Sequence, residues 1–370
     1  MNMRKMRLRW KILGGVILVV VILVLVAGAY INIHDPLVET RATSVAAQDA
    51  DLMGRMQGYW QDADRGLVIG FEGHSCCYTG NLGFLRMSVG APVQFCHVEY
   101  RTNGVILQTW SPFQSKRATV SVQDSGLLLG LNGASFALTH LANKPPELDM
   151  SPLTMPSEMT LPPAQIDTMR KELTRRDGLE QEVRRRFAAQ LRKGNAQGKE
   201  VEAITREMNM IDTDNRDYVR RVIQEFGWVD ASRFGRETSI NAMMLVHKSG
   251  DLRLMLTALP HLESDAKAGR IDGEVFCLMY DRVQTEMSRP QRYGTQVVGS
   301  LADDRKYLYP LEDRQNLPRL RSEMGLPRFK VYLNILSLLY GMKDICTMDQ
   351  LISAEPTSAG DVATRAAPEK

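Results

Sequence analysis

The sequence predicts an α+β multidomain chain: an N-terminal transmembrane helix, a small antiparallel β-barrel or sandwich, a Pro-rich linker and a mainly α-helical C-terminal domain. Three observations carry that expectation. Residues 12–31 form an uncharged apolar run, short β-branched and aromatic runs punctuated by glycine fill Gly58 to Leu141, and beyond residue 163 apolar residues recur at helical spacing. At 370 residues the chain is long enough for two ordinary cores. The boundaries expected are a basic tail (1–11), a membrane span (12–31), a stalk (32–53), a β-domain (54–142), a linker (143–163), a helical domain (164–345) and a disordered tail (354–370).

A helix over residues 12–31 rises about 30 Å, the thickness of a bilayer's hydrocarbon core. Arg4, Lys5, Arg7, Arg9 and Lys11 crowd its N-terminal side, which keeps that end in the cytoplasm and carries the rest of the chain across. Ala27-Gly28-Ala29 has the small-x-small form of a signal-peptidase site. The apolar run is longer than a usual signal segment and continues past that site, which favours a retained anchor. The first partner expected is therefore the lipid bilayer, through residues 12–31.

An exported chain meets an oxidising compartment, and its five cysteines are read accordingly. The disulfide candidates are Cys76, Cys77, Cys96, Cys277 and Cys346. Cys96 is expected to bond to Cys76 or Cys77, and Cys277 to Cys346. "GHSCCY" and "FCHVEY" also bring His74 and His97 near these thiols, in a pattern that invites a metal. Consecutive strand residues leave opposite faces, so Cys96 and His97 cannot both join one site. A disulfide is preferred, and neither a metal nor a cofactor is expected.

The net charge of +3 is too mild to mark a nucleic-acid binder. The arginine-rich run "MRKELTRRDGLEQEVRRRF" is interrupted by Glu172, Asp177, Glu180 and Glu182 and reads as a solvated helix face.

The β-region is expected to hold six or seven strands, with Asn103-Gly104 and Asn132-Gly133 as hairpin turns. Its opening Gly58-Tyr59-Trp60 and closing "LLLGLNGASFALTHL" resemble small lipocalin-like barrel domains. Trp60 is expected to plug the bottom of the barrel or sandwich. Six prolines between Pro145 and Pro163 then predict an extended spacer. Beyond it, stripes at Ile166, Met169 and Leu173, at Val183, Phe187 and Leu191, at Val201, Ile204, Met208 and Ile211, and at Val219, Val222, Ile223 and Phe226 predict helices. Gly178 is expected to break the first of these, and Gly227 to cap the last.

Polar features in the helical half occur in a fixed order: "IDTDNRDYVRRVIQEFGW", "MMLVHKSGD", "CLMYDRV", "RPQRYGTQ" and "LEDRQNLPRLRSEMGL". The series resembles a bacterial domain-of-unknown-function family, number 6624. Asp212, Asn215, Gly227 and Trp228 match its first element, His247 and Asp251 part of the second, and Asp281 and Arg282 the third. Pro290, Gln291, Tyr293, Gly294, Thr295 and Gln296 match the fourth, and Asp313, Arg321, Gly325 and Leu326 the last. Relatives have Gln, Asp and Gln where this chain has Val246, Ser249 and Met255, so any reactive pair at the histidine is only half present. The resemblance implies a candidate site and no reaction.

His247 and Asp251, four residues apart, are the candidate catalytic pair, with the carboxylate orienting the imidazole. Gly250 places them near a helix end. Asp281, Arg282, Gln291, Tyr293, Thr295, Gln296 and Arg321 are the candidate ligand-binding residues. Asp281 or Arg282 is expected to pair with Arg321 or Asp313, and the loop around Gly294 to bind a neutral or polar ligand.

These features predict a single-pass protein of the bacterial inner membrane, its folded domains periplasmic. Its role would be cell-envelope binding or scaffolding, with an envelope protein or polar small molecule as partner and residues 290–296 as recognition surface. One alternative is a hydrolase-like enzyme with His247 as general base and Tyr293, Thr295 and Gln296 holding the substrate. Another makes the β-domain the ligand binder.

Overall fold

The computed structural model describes residues 50–82, 93–101, 104–110, 113–123, 126–131, 133–157, 160–192, 198–299, 306–340 and 345–347. The expected membrane span and the C-terminal tail lie outside them. Among the described residues no helix is long and apolar enough to cross a membrane.

A short helix, α1 (Ala50–Met56), leads into eight strands: β1 (Gly58–Asp62), β2 (Leu67–Glu72), β3 (Ser75–Thr79), β4 (Gln94–Arg101), β5 (Gly104–Trp110), β6 (Phe113–Gln123), β7 (Gly126–Leu131) and β8 (Ala134–Leu141). Each pairs antiparallel with the next, and β8 returns to β1 with His140 opposite Trp60, closing a barrel. Closure removes both sheet edges, which is why eight strands form where six or seven were expected. Alternate residues such as Leu127, Leu129 and Leu131 turn inward, following the two-residue period of a strand. The interior is packed by Ile69, Phe71, Tyr78, Val98, Tyr100 and Leu107 with their neighbours. Leu52 and Met56 of α1 join this core, and Trp60 donates its indole N–H to the Met56 carbonyl at 2.9 Å. The tryptophan thus locks α1 onto the barrel.

Cys76 and Cys96 face each other across β3 and β4 and form a disulfide. Cys77, on the opposite face of β3, is a free thiol. Cys277 is also free, so the expected bond to Cys346 is not made: its side chain is sealed in the helical core.

The proline-rich segment is not a detached spacer. After one 3-10 turn (Pro146–Leu148) it runs along the helical domain, burying Leu153 and Leu161 in that core. Thr257 accepts the Leu153 amide at 2.8 Å, and Arg253 Nε donates to the Ser151 carbonyl at 2.9 Å.

The helical domain begins with two long antiparallel helices, α2 (Pro163–Arg192) and α3 (Lys199–Phe226). Gly178 does not break α2. A mid-helix glycine costs about 1 kcal/mol, and the apolar stripe of Met169, Leu173 and Val183 on either side of it outweighs that. The arginine run is also less solvated than expected. Arg176 and Arg184 reach across to Asp214 and Asp212 of α3, at 2.6 and 2.9 Å. Gly227 caps α3 as expected, at φ 78° with its amide on the Ile223 carbonyl.

Four more helices follow: α4 (Ala231–Phe234), α5 (Arg236–Lys248), α6 (Leu252–Lys267) and α7 (Gly273–Glu286). The last described elements are β9 (Val297–Gly299), β10 (Lys306–Leu308), α8 (Leu317–Glu323), α9 (Phe329–Tyr340) and β11 (Ile345–Thr347), the three strands forming a small mixed sheet.

Candidate functional site

The residues singled out in the sequence separate into two places. One is a buried knot built on Asp281, at the inward face of α7. Its carboxylate is wholly buried and accepts the amides of Arg292 (2.8 Å), Tyr293 (3.0 Å) and Thr295 (2.9 Å) and the Thr295 hydroxyl (2.9 Å). Burial raises its pKa above the ordinary carboxylate range, and these hydrogen bonds oppose that rise.

Gln291 works inside the same loop. Its side-chain amide donates to the carbonyls of Gln296 and Tyr309 at 3.0 and 2.9 Å and accepts the Gln296 amide at 2.8 Å. Gln296 in turn donates to the Leu278 carbonyl at 3.2 Å. Gly294 has φ 67°, and a Cβ there would meet the Phe329 ring at 2.6 Å, so glycine is required twice over. Arg321 donates to the carbonyls of Tyr293 and Pro327 and lies over the rings of Phe329 and Tyr332. Asp281, Gln291, Tyr293, Thr295, Gln296 and Arg321 are therefore buried, and none of them lines the cleft described next. Polarity here is spent on satisfying a glycine turn inside the core rather than on display. Asp313 caps the turn before α8 instead of pairing with Arg282.

The second place is a cleft of 1940 Å³ between the barrel and the helical domain. Gln94, Phe95 and Thr109 form its barrel side, and α3, the C-terminal end of α5, the start of α6 and the outer face of α7 form the other. Ser288 Oγ donates to the Phe95 carbonyl at 3.3 Å across the floor. Of the predicted residues, His247, Asp251 and Arg282 are here.

The expected histidine–carboxylate pair is not formed. Asp251 caps α6 by accepting the Leu254 amide at 3.2 Å and pairs with Arg220 of α3. His247 has cations for neighbours instead. Burial first, then the charges of Arg282, Lys248 and Arg184, lower its pKa from 6.5 to about 3, so the ring is neutral at neutral pH. Its Nε2 is buried and has no hydrogen-bond partner, and the same holds for Nε of Arg220 and Nε of Arg282. Arg282 pairs through its other nitrogens with Glu286 at 2.6 Å.

A depressed histidine pKa makes folding sensitive to acid in a defined direction. Below 6.5 the unfolded chain protonates this residue while the folded chain resists down to about 3, so the stability present above 6.5 is lost as pH falls through that window. The slope is at most about 1.4 kcal/mol per pH unit. His247→Leu is therefore expected to flatten the fall in melting temperature between about pH 6 and about pH 4, measured beside the unsubstituted chain; parallel curves would contradict the burial of the ring.

Arg220, Lys248, Arg184 and Glu286 were not singled out from the sequence. They come from four helices, and nothing in local spacing announces their convergence. His261 stacks on Trp228 with ring centroids 6.3 Å apart. Among the described residues no three His, Cys, Asp or Glu side chains converge in a way that could hold a metal ion.

No curated protein and no solved structure matches the chain. A family model does match the helical part, including both the Asp281 knot and the His247 wall of the cleft. Residues 169–345 belong to the family of unknown function DUF6624.

Proposed function

We propose that the chain is a membrane-anchored periplasmic binding module of the cell envelope, and that its ligand enters the cleft between the barrel and the helical domain. The observation that carries this reading is the unpartnered Nε2 of His247 in the cleft wall. A buried polar atom without a partner costs about 1–3 kcal/mol, a cost that a water, an ion or a ligand in the cleft would remove.

The apolar run at 12–31, with its basic flank, supports the anchor and its orientation. The Cys76–Cys96 disulfide is in keeping with an oxidising compartment. A hydrolytic role for His247 is less well supported. A general base works best with a pKa near the operating pH, and the carboxylate that would orient this ring is engaged by Arg220. The barrel interior is filled with its own side chains, so the cleft is favoured over the lumen as the ligand's place.

The test is native mass spectrometry of the full chain purified in detergent from its own host. A small-molecule adduct on the unsubstituted chain, absent from a folded His247→Leu variant, is the expected result. An adduct unaffected by the substitution, or no adduct on either form, would overturn the reading.

A further inference from the structure

The chemistry of the unpartnered atoms narrows the ligand, on the premise that the cleft is the binding site. Arginine nitrogens are donors only, and a buried Nε–H without an acceptor asks for an oxygen. Arg220 on α3 and Arg282 on α7 each leave Nε in that state; both line the cleft that His247 also lines, and Arg282 is a charged neighbour of its ring. Their carboxylates, Asp251 and Glu286, bind other nitrogens of the same guanidinium groups, which fixes the side chains and leaves the Nε edge unused.

Two further features have the same sign. Gly250 to Arg253 line the cleft, so the sixteen-residue helix α6 presents its N-terminus there, the positive end of its dipole. Arg221 also lines the cleft. The cleft lining as a whole is near balance, with seven basic and six acidic side chains, so the call for an anion is local to Nε of Arg220 and Nε of Arg282.

We propose that the cleft binds a ligand through a compact oxyanion, a carboxylate or a phosphate ester, that accepts from Nε of Arg220 and Nε of Arg282, with Nε2 of His247 completing the set. The imidazole is neutral before binding and donates in the tautomer that carries its proton on Nε2. An anion among the three groups also offsets the neighbouring cations, which act after burial to lower the ring's pKa, so that pKa rises on binding.

The test is a titration of the full chain in nanodiscs of zwitterionic lipid with glucose 6-phosphate, glucuronate and glucose, following the His247 imidazole resonance. These probes share a ring and differ in the anion. Both anions are expected to shift the resonance, raise the residue's pKa and bind at least about tenfold more tightly than glucose. Arg282→Gln removes the preference. Arg282→Lys, which keeps charge but loses the Nε–H, keeps only part of it. Arg319→Gln, an equal charge change on α8 where Arg319 pairs with Glu323, leaves it intact.

Repeating the titration in discs containing phosphatidylglycerol separates the sources of the anion. A resonance already shifted before any sugar is added identifies a lipid headgroup; an unshifted one identifies a soluble ligand. Equal response to glucose, or no response to either anion by folded protein, overturns the oxyanion site. The first of these leaves the cleft itself in use as a binding site; the second leaves it to be judged by the adduct experiment.

Discussion

Asp281→Ala is expected to destabilise the helical domain by about 3–5 kcal/mol, the range for removing one member of a buried, hydrogen-bonded charge network. Three backbone amides and the Thr295 hydroxyl lose their acceptor together. Arg321, which Asp281 helps to keep charged, would remain buried with Glu274 as the carboxylate still acting on it. Asp281→Asn keeps the shape but turns an NH2 group toward those same donors, so it offers little rescue. Urea unfolding followed by far-ultraviolet dichroism is the measurement. A midpoint for Asp281→Ala within error of the unsubstituted chain would mean that the loop holds its shape without the carboxylate.

The second large effect belongs to the barrel. Replacing Cys76 and Cys96 together by alanine opens a crosslink between residues twenty apart, for which loop-closure entropy alone gives about 3 kcal/mol. Both sulfurs also pack in the barrel interior, so a smaller cavity cost adds to it. Hydrogen exchange resolves the two domains: amide protection in β3 to β5 is expected to fall sharply, and that of α5 to α7 to hold. Unchanged protection of the barrel after reduction would show that the strands need no crosslink. Loss of protection throughout would show that the two domains unfold as one unit.

Much of the fold was legible because periodicity reports burial. The helical stripe from Val219 to Phe226 names its buried face correctly, and Gly227 ends its helix for the expected backbone reason. Gly178 was misread because local propensity is weaker than packing, and the flanking stripe carries α2 through it. The strand that went unread is β3, Ser75–Thr79: it is short, and the cysteines of "SCCYT" were read for disulfide and metal chemistry instead.

The site was legible in part, and for an instructive reason. Composition cannot tell a polar loop that faces a ligand from one that satisfies itself: Gln291, Thr295 and Gln296 carry the donors and acceptors of a binding surface, yet they close on one another and on Asp281. His247 was found because the motif points to it, but its companions were not. Asp251 is four residues away and committed elsewhere, whereas Arg282 lies thirty-five positions on and arrives by the packing of α7 beside α5.

The claim that most needs testing is that His247 is held in the cleft wall at a cost to stability. The melting temperature of His247→Leu at neutral pH tests it most directly. Removing an unpartnered buried nitrogen while keeping the side chain's bulk is expected to leave the midpoint unchanged or to raise it, by up to about 2 kcal/mol of stability. A fall as large as that of Asp281→Ala would place His247 among the structural residues of the fold and contradict a ligand site there.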